Sequence, residues 1–212
     1  YKRQGLVAST EGIKSRKVVE YGIDALKAVW HRGAIDADGK TGDGAGIHIE
    51  IPKDFFEEKI EVTGHKHDNS ELCVGMIFLP RNDYSAQEQC RTIVESELTK
   101  RNFSIYGWRQ VPVDPSVLGE KAEQTRPEIT QVLFTYNDKK VVNKSLEQKL
   151  YETRRVIEKE ALNNQLNNFY ICSFSSKSII YKGMFLAEAL SDFYTDLKDE
   201  RFISRYAIFH QR

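Results

Sequence analysis

The chain has 212 residues, 40% hydrophobic and 29% charged, the balance of an ordinary globular domain with enough length to bury a substantial core. Lys plus Arg equals Asp plus Glu, 31 against 31, so no net field draws the chain to nucleic acid or an anionic membrane, and a small-molecule substrate is expected. No apolar run approaches the ~20 residues of a bilayer span, and the three cysteines (Cys73, Cys90, Cys172) have no paired spacing, which fits a reduced, cytoplasmic setting.

Tyr1 to Leu6 has no apolar signal-peptide core. Val19, Ile23, Leu26 and Trp30 step by four, three and four, the stripe of an amphipathic helix, with Gly33 beyond it as a stop. Asp36 to Gly46 is a loop dense in Asp and Gly. Ile47, Ile49 and Ile51 alternate with polar residues as a half-buried strand, and Pro52 closes it. Val62 to Ser70 reads as a polar surface loop carrying His65 and His67, and Leu72 to Leu79 as a buried strand. Ala86, Cys90, Val94 and Leu98 step by four and predict a second helix. Ile105 to Val111 and Ile129 to Tyr136 read as strands, with a turn between Pro112 and Pro115. Leu146, Leu150, Ile157 and Ala161 predict a third, strongly charged helix. Phe169 to Phe174 and Ile179 to Tyr181 are short strands whose spacing around Ser175-Ser176-Lys177 predicts a hairpin. Met184 to Phe193 reads as helix and Tyr206 to Phe209 as strand. Strands in pairs with helices between the groups point to an α+β fold.

The alternating glycines at 42, 44 and 46 suggest a phosphate cradle, but a strand follows them, where nucleotide-binding loops need a helix N-terminus. The acidic spacing misses the calcium loop as well. A tight turn in which glycine supplies positive φ explains Asp36 to Gly46 better. His65-x-His67 lacks partners at zinc spacing and reads as part of a solvated loop. Each cysteine reads as a small core residue. The charges from Glu147 to Glu160 read as a solvated helix face with i,i+4 pairs. Spacing alone assembles no catalytic set.

Longer phrases carry more. His31-Arg32-Gly33-Ala34 leads through the acidic loop to Thr41-Gly42-Asp43-Gly44-Ala45-Gly46-Ile47 and a strand ending in Pro52. Phe78-Leu79-Pro80, the run from Gly107 to Gly119, Thr125 to Val132, Phe169 to Ser173 and Tyr181 to Met184 follow. Together these resemble the N-terminal class II glutamine amidotransferase (glutaminase) domain of the glutamate synthase large subunit. Ala34 stands where many members have glycine. The resemblance implies an N-terminal nucleophile hydrolase fold, a four-layer αββα sandwich incomplete in this chain. It implies hydrolysis of L-glutamine to glutamate and ammonia, the ammonia passing to a flavin site that reductively aminates 2-oxoglutarate.

It also implies a nucleophilic cysteine at the head of the first strand, a few residues before Val7, where the chain has none. Residues 1-6 resemble the leader preceding that cysteine. The expected arrangement is therefore a leader-like segment 1-6 and the front part of the amidotransferase domain at 7-212, with the nucleophile segment belonging between Leu6 and Val7. Arg212 matches the arginine that pairs with the glutamine α-carboxylate, and Arg32 and Asp43 are assigned to shaping the loop beside the nucleophile strand. The oxyanion-hole Asn-Gly pair is expected beyond Arg212. No metal or cofactor is implied for this segment. FMN, an iron–sulfur cluster and NADPH or ferredoxin belong to the complete enzyme, with a small NADPH-oxidising subunit or ferredoxin as partner. Two rivals remain: a non-catalytic scaffold that has lost its cysteine, and a stand-alone amidotransferase, against which Gly107 to Gly119 and Thr125 to Val132 argue.

Overall fold

The computed structural model describes residues 3–29, 35–67, 70–138 and 144–212. Two compact units share the chain, one made of Tyr1–Pro52, Val111–Arg126 and Ile180–Arg212, the other of Lys53–Gln110 and Pro127–Ile179.

The first unit holds a four-stranded sheet of β1 (Arg3–Ala8), β2 (Ala45–Glu50), β7 (Ser178–Gly183) and β8 (Tyr206–Gln211), in the order β1-β8-β2-β7. β8 is antiparallel to both β1 and β2, so the last strand in the sequence lies between the first two. Helix α1 (Arg16–Ala28) starts at Ser15, whose hydroxyl accepts from the Val18 N–H, and buries Val19, Gly22, Ile23 and Leu26. Gly22 lies over Ala207 of β8: a methyl group added there would come 2.5 Å from the Ala207 Cβ. The predicted stripe is therefore the packed face, except that Trp30 and Gly33 lie outside the described residues. Short helical turns, including α4 (Glu120–Gln124) and α6 (Leu190–Phe193), complete the unit. Tyr181, Phe185, Phe193, Tyr194 and Phe202 stack edge-on or tilted in an aromatic cluster.

The second unit holds β3 (Leu72–Leu79), β4 (Phe103–Gln110), β5 (Glu128–Tyr136) and β6 (Tyr170–Ser175), in the order β4-β5-β3-β6, with antiparallel registers throughout. Helix α3 (Tyr84–Lys100) contributes Cys90, Val94 and Leu98, and α5 (Lys144–Asn163) contributes Leu146, Leu150 and Ile157, to a core shared with Cys73, Val132 and Phe134. Both helices thus turn their four-step stripes inward as expected.

Four expectations are corrected. The hairpin is not formed: β6 pairs with β3, while β7 lies beside β2 in the other sheet. The turn between them is tight because Glu147 caps it, accepting from the Ser176 N–H (2.8 Å), the Ser176 hydroxyl (2.8 Å) and the Ser175 hydroxyl (2.9 Å). Glu147 and Arg154, which donates to the Ile171 carbonyl (2.8 Å), therefore serve β6 rather than a wholly solvated face. Helix α2 (Lys53–Val62) was not foreseen; it buries Phe55, Phe56 and Ile60. Helical structure near 190 begins only at Ala187, because β7 runs on to Gly183. His67 is not solvated: its side chain is 8% exposed, with Nδ1 3.2 Å from Glu57 and its ring against Tyr106.

Candidate functional site

One end of the first sheet gathers the residues singled out from the sequence. Gln211, near the end of β8, stands opposite Arg3 on one side and Ala45 on the other. Arg212 follows, exposed, and its backbone N–H donates to the Gly44 carbonyl (3.0 Å). The head of β1, the end of β8 and the entry to β2 therefore meet. Alternation along β8 puts His210 and Arg212 on the face opposite buried Gln211. Gly46 leaves room beneath His210; a Cβ there would sit 2.6 Å from the imidazole Cε1. Asp43 is exposed one residue before Gly44. Arg32 lies outside the described residues.

The acidic loop folds upon itself. The Asp38 carboxylate accepts from the Lys40 N–H (2.9 Å), the Thr41 N–H (2.7 Å) and the Thr41 hydroxyl (2.5 Å). The Thr41 hydroxyl, then these backbone donors, hold its carboxyl down at about 2. Asp36 accepts from the Lys121 ammonium (2.7 Å), which lowers the Asp36 carboxyl and raises the Lys121 amine. Gly39 and Gly44 have φ of +68° and +133°, so the expectation of a turn needing glycine backbones holds. Gly119, just before α4, touches this loop: a Cβ there would lie 2.2 Å from Asp38 Oδ2. The phrase from Gly107 to Gly119 thus ends against the phrase that contains the acidic loop.

Residues 4–212 match the family of class II glutamine amidotransferases. The chain belongs to that family. Over 208 residues it is 56% identical to the glutamate synthase [NADPH] large chain of Azospirillum brasilense, covering 98% of this chain and 14% of that protein. It is 36% identical over 209 residues to ferredoxin-dependent glutamate synthase 2 of Synechocystis sp., covering 98% and 13%. The chloroplastic ferredoxin-dependent glutamate synthase of Spinacia oleracea is also 36% identical, over 210 residues, with 98% and 13% covered. The amidotransferase chain therefore spans 13–14% of the length of these curated relatives.

Within this amidotransferase domain β1 carries both Leu6 and Val7. Leu6 stands opposite Ile208 and Val7 opposite Ala207, consecutive steps of one register, and the family match already includes Gln4 to Leu6. The three cysteines are free and buried. Burial pushes the Cys90 thiol up to about 11, and burial with Glu147 and Glu71 nearby raises Cys73 well above its ordinary value. Neither supplies a thiolate at neutral pH. Among the described residues no three His, Cys, Asp or Glu side chains gather as a metal site, and no helix is long and apolar enough to cross a membrane. Sequence reading missed Asp38, Thr41, Gly119 and Lys121. Asp38-x-x-Thr41 has the spacing of a self-capped turn and could have been found. The Asp36–Lys121 contact joins residues 85 apart and left no local signal.

Proposed function

We propose that this domain is the glutaminase of a glutamate synthase, hydrolysing L-glutamine to glutamate and ammonia. One observation carries the reading: the head of β1, where the family holds its nucleophile, adjoins Gln211-Arg212, where it holds the glutamine α-carboxylate. A guanidinium fork at the end of a fixed strand suits a carboxylate, because two parallel N–H donors match its two oxygens. We place the nucleophilic cysteine in a segment that belongs between Leu6 and Val7, because no cysteine stands among residues 1–7 of this chain. Its sulfur attacks the side-chain amide carbon of glutamine, while its own α-amino group, which titrates near neutrality, takes the thiol proton through water. Hydrogen-bond donors hold the oxyanion, ammonia leaves, and water hydrolyses the glutamyl thioester. Asp43 and Arg32 shape the loop beside this strand.

The family resemblance and the presence of two four-stranded sheets support an N-terminal nucleophile hydrolase fold, an αββα sandwich. Ammonia passes to the remaining domains, where FMN and an iron–sulfur cluster support reductive amination of 2-oxoglutarate. The greater identity to the NADPH large chain favours a nicotinamide donor delivered by a small subunit over ferredoxin. The setting is cytoplasmic.

The test treats the full polypeptide with a diazoketone analogue of glutamine, which alkylates the attacking sulfur, and maps the adduct by peptide mass. An adduct on a cysteine other than Cys73, Cys90 and Cys172, with glutamine-dependent ammonia release that the analogue abolishes, supports the reading. No adduct and no ammonia release would replace it with a non-catalytic scaffold.

A further inference from the structure

We propose that Asp38 is a positioning residue for the glutamine α-carboxylate subsite, acting through its loop on the backbone of Arg212. The proposal rests on the glutaminase reading above. Arg212 lies one residue past the end of β8, where the ladder no longer holds it, and its N–H finds the Gly44 carbonyl instead (3.0 Å). The placement of that guanidinium thus depends on where the loop from Asp36 to Gly44 presents one carbonyl oxygen.

The loop is fixed from within by Asp38. Its carboxylate gathers the Lys40 N–H, the Thr41 N–H and the Thr41 hydroxyl, and Thr41 itself is 3% exposed. The Asp36 N–H donates to the Thr41 carbonyl (2.9 Å), closing the turn. A second element meets the same carboxylate. Gly119 presents bare backbone to it. Lys121 then reaches back to Asp36 through its ammonium (2.7 Å). Asp38 therefore ties the loop to itself, Asp36 ties it to α4, and the tied loop holds Arg212. The two N–H groups fall on Oδ1 and the Thr41 hydroxyl on Oδ2, so an asparagine keeps an acceptor for the N–H groups but loses the charge-assisted bond from the hydroxyl.

The test uses the full polypeptide and compares L-glutamine with its α-amide, which lacks the carboxylate. Arg212→Ala sets the scale by raising the KM for L-glutamine while sparing the α-amide. Asp38→Asn should raise the KM for L-glutamine about ten-fold, the size of one lost charge-assisted hydrogen bond. It should change kcat less than about three-fold and leave the α-amide unaffected. In an Arg212→Ala background Asp38→Asn should add nothing. Thr41→Val, which removes one donor, should act in the same direction more weakly, and it carries the test if Asp38→Asn does not fold. Equal losses for both substrates, or full additivity with Arg212→Ala, would overturn the positioning role and leave the glutaminase reading intact. If Arg212→Ala itself leaves the KM for L-glutamine unchanged while ammonia release persists, the assignment of Arg212 fails first and the positioning role with it.

Discussion

Glu147→Ala removes the acceptor on which the turn from β6 to β7 converges. Ser175 and Ser176 are 8% and 2% exposed, so water reaches their donors poorly once the carboxylate is gone. The two hydroxyls can rotate toward other acceptors, but the Ser176 N–H is fixed by the backbone. A stranded buried donor costs ~1–3 kcal/mol, and lost bonds to a charged acceptor enlarge this, so ~3 kcal/mol is expected in all. Because the Ser175 hydroxyl also accepts from the Lys177 N–H (2.9 Å) and the Ser178 N–H (3.2 Å), its reorientation loosens the whole turn. Hydrogen exchange in the full polypeptide reads this directly: amides from Ser176 to Ser178 should exchange about a hundred-fold faster. Glu147→Gln keeps one acceptor oxygen and should lose only ~1 kcal/mol. The reasoning is refuted if Glu147→Ala leaves those amides protected, or if Glu147→Gln and Glu147→Ala are equally damaging.

Gly22→Ala places a Cβ 2.5 Å from that of Ala207 and 3.4 Å from Ile47 Cδ1, so α1 must lift from β8. Overpacking of ~1–3 kcal/mol outweighs a helix-propensity gain of ~1 kcal/mol, and the melting temperature should fall by a few degrees. The Asp38 carboxyl, held at about 2 chiefly by the Thr41 hydroxyl, lies below its unfolded value of ~3.9. Its contribution to stability is complete above that unfolded value and is lost as pH falls through about 2; carbon NMR of the carboxyl should show this midpoint, and Thr41→Val should raise it. With burial pushing Cys90 to about 11 and raising Cys73 well above its ordinary value, iodoacetamide at mildly alkaline pH should leave both unlabelled in the native protein. Peptide mapping should find both labelled in urea.

Much of the fold was legible where burial is two-sided or the stripe is long. β3 and β5 are apolar runs because both faces are covered, and α3 and α5 carry apolar residues at helical steps. α2 escaped because Phe55, Phe56 and Ile60 are its whole buried face, in a segment that starts just after Pro52 and is otherwise charged. The β6–β7 turn was misjudged because the residue that shapes it lies 28–29 positions earlier, on α5. Turn chemistry at Gly39 and Gly44 could be read from glycine alone. The role proposed for Arg212 could not: a lone arginine after a strand carries no physical signal of carboxylate binding, and the proposal rests on likeness to a family. The meeting of Arg3, Gln211 and Ala45 depended on strand order, which local pattern does not encode.

That strand order has a consequence for the newly made chain. Among the described residues β1 pairs with β8 alone, so Arg3 meets its partner only once Gln211 has been synthesised. At ~5–20 residues per second the head of β1 waits on the order of ten to forty seconds on the ribosome. Any processing that must reach the residues beside Arg3 would have its access during this interval, before β8 arrives and the strand is locked into the sheet.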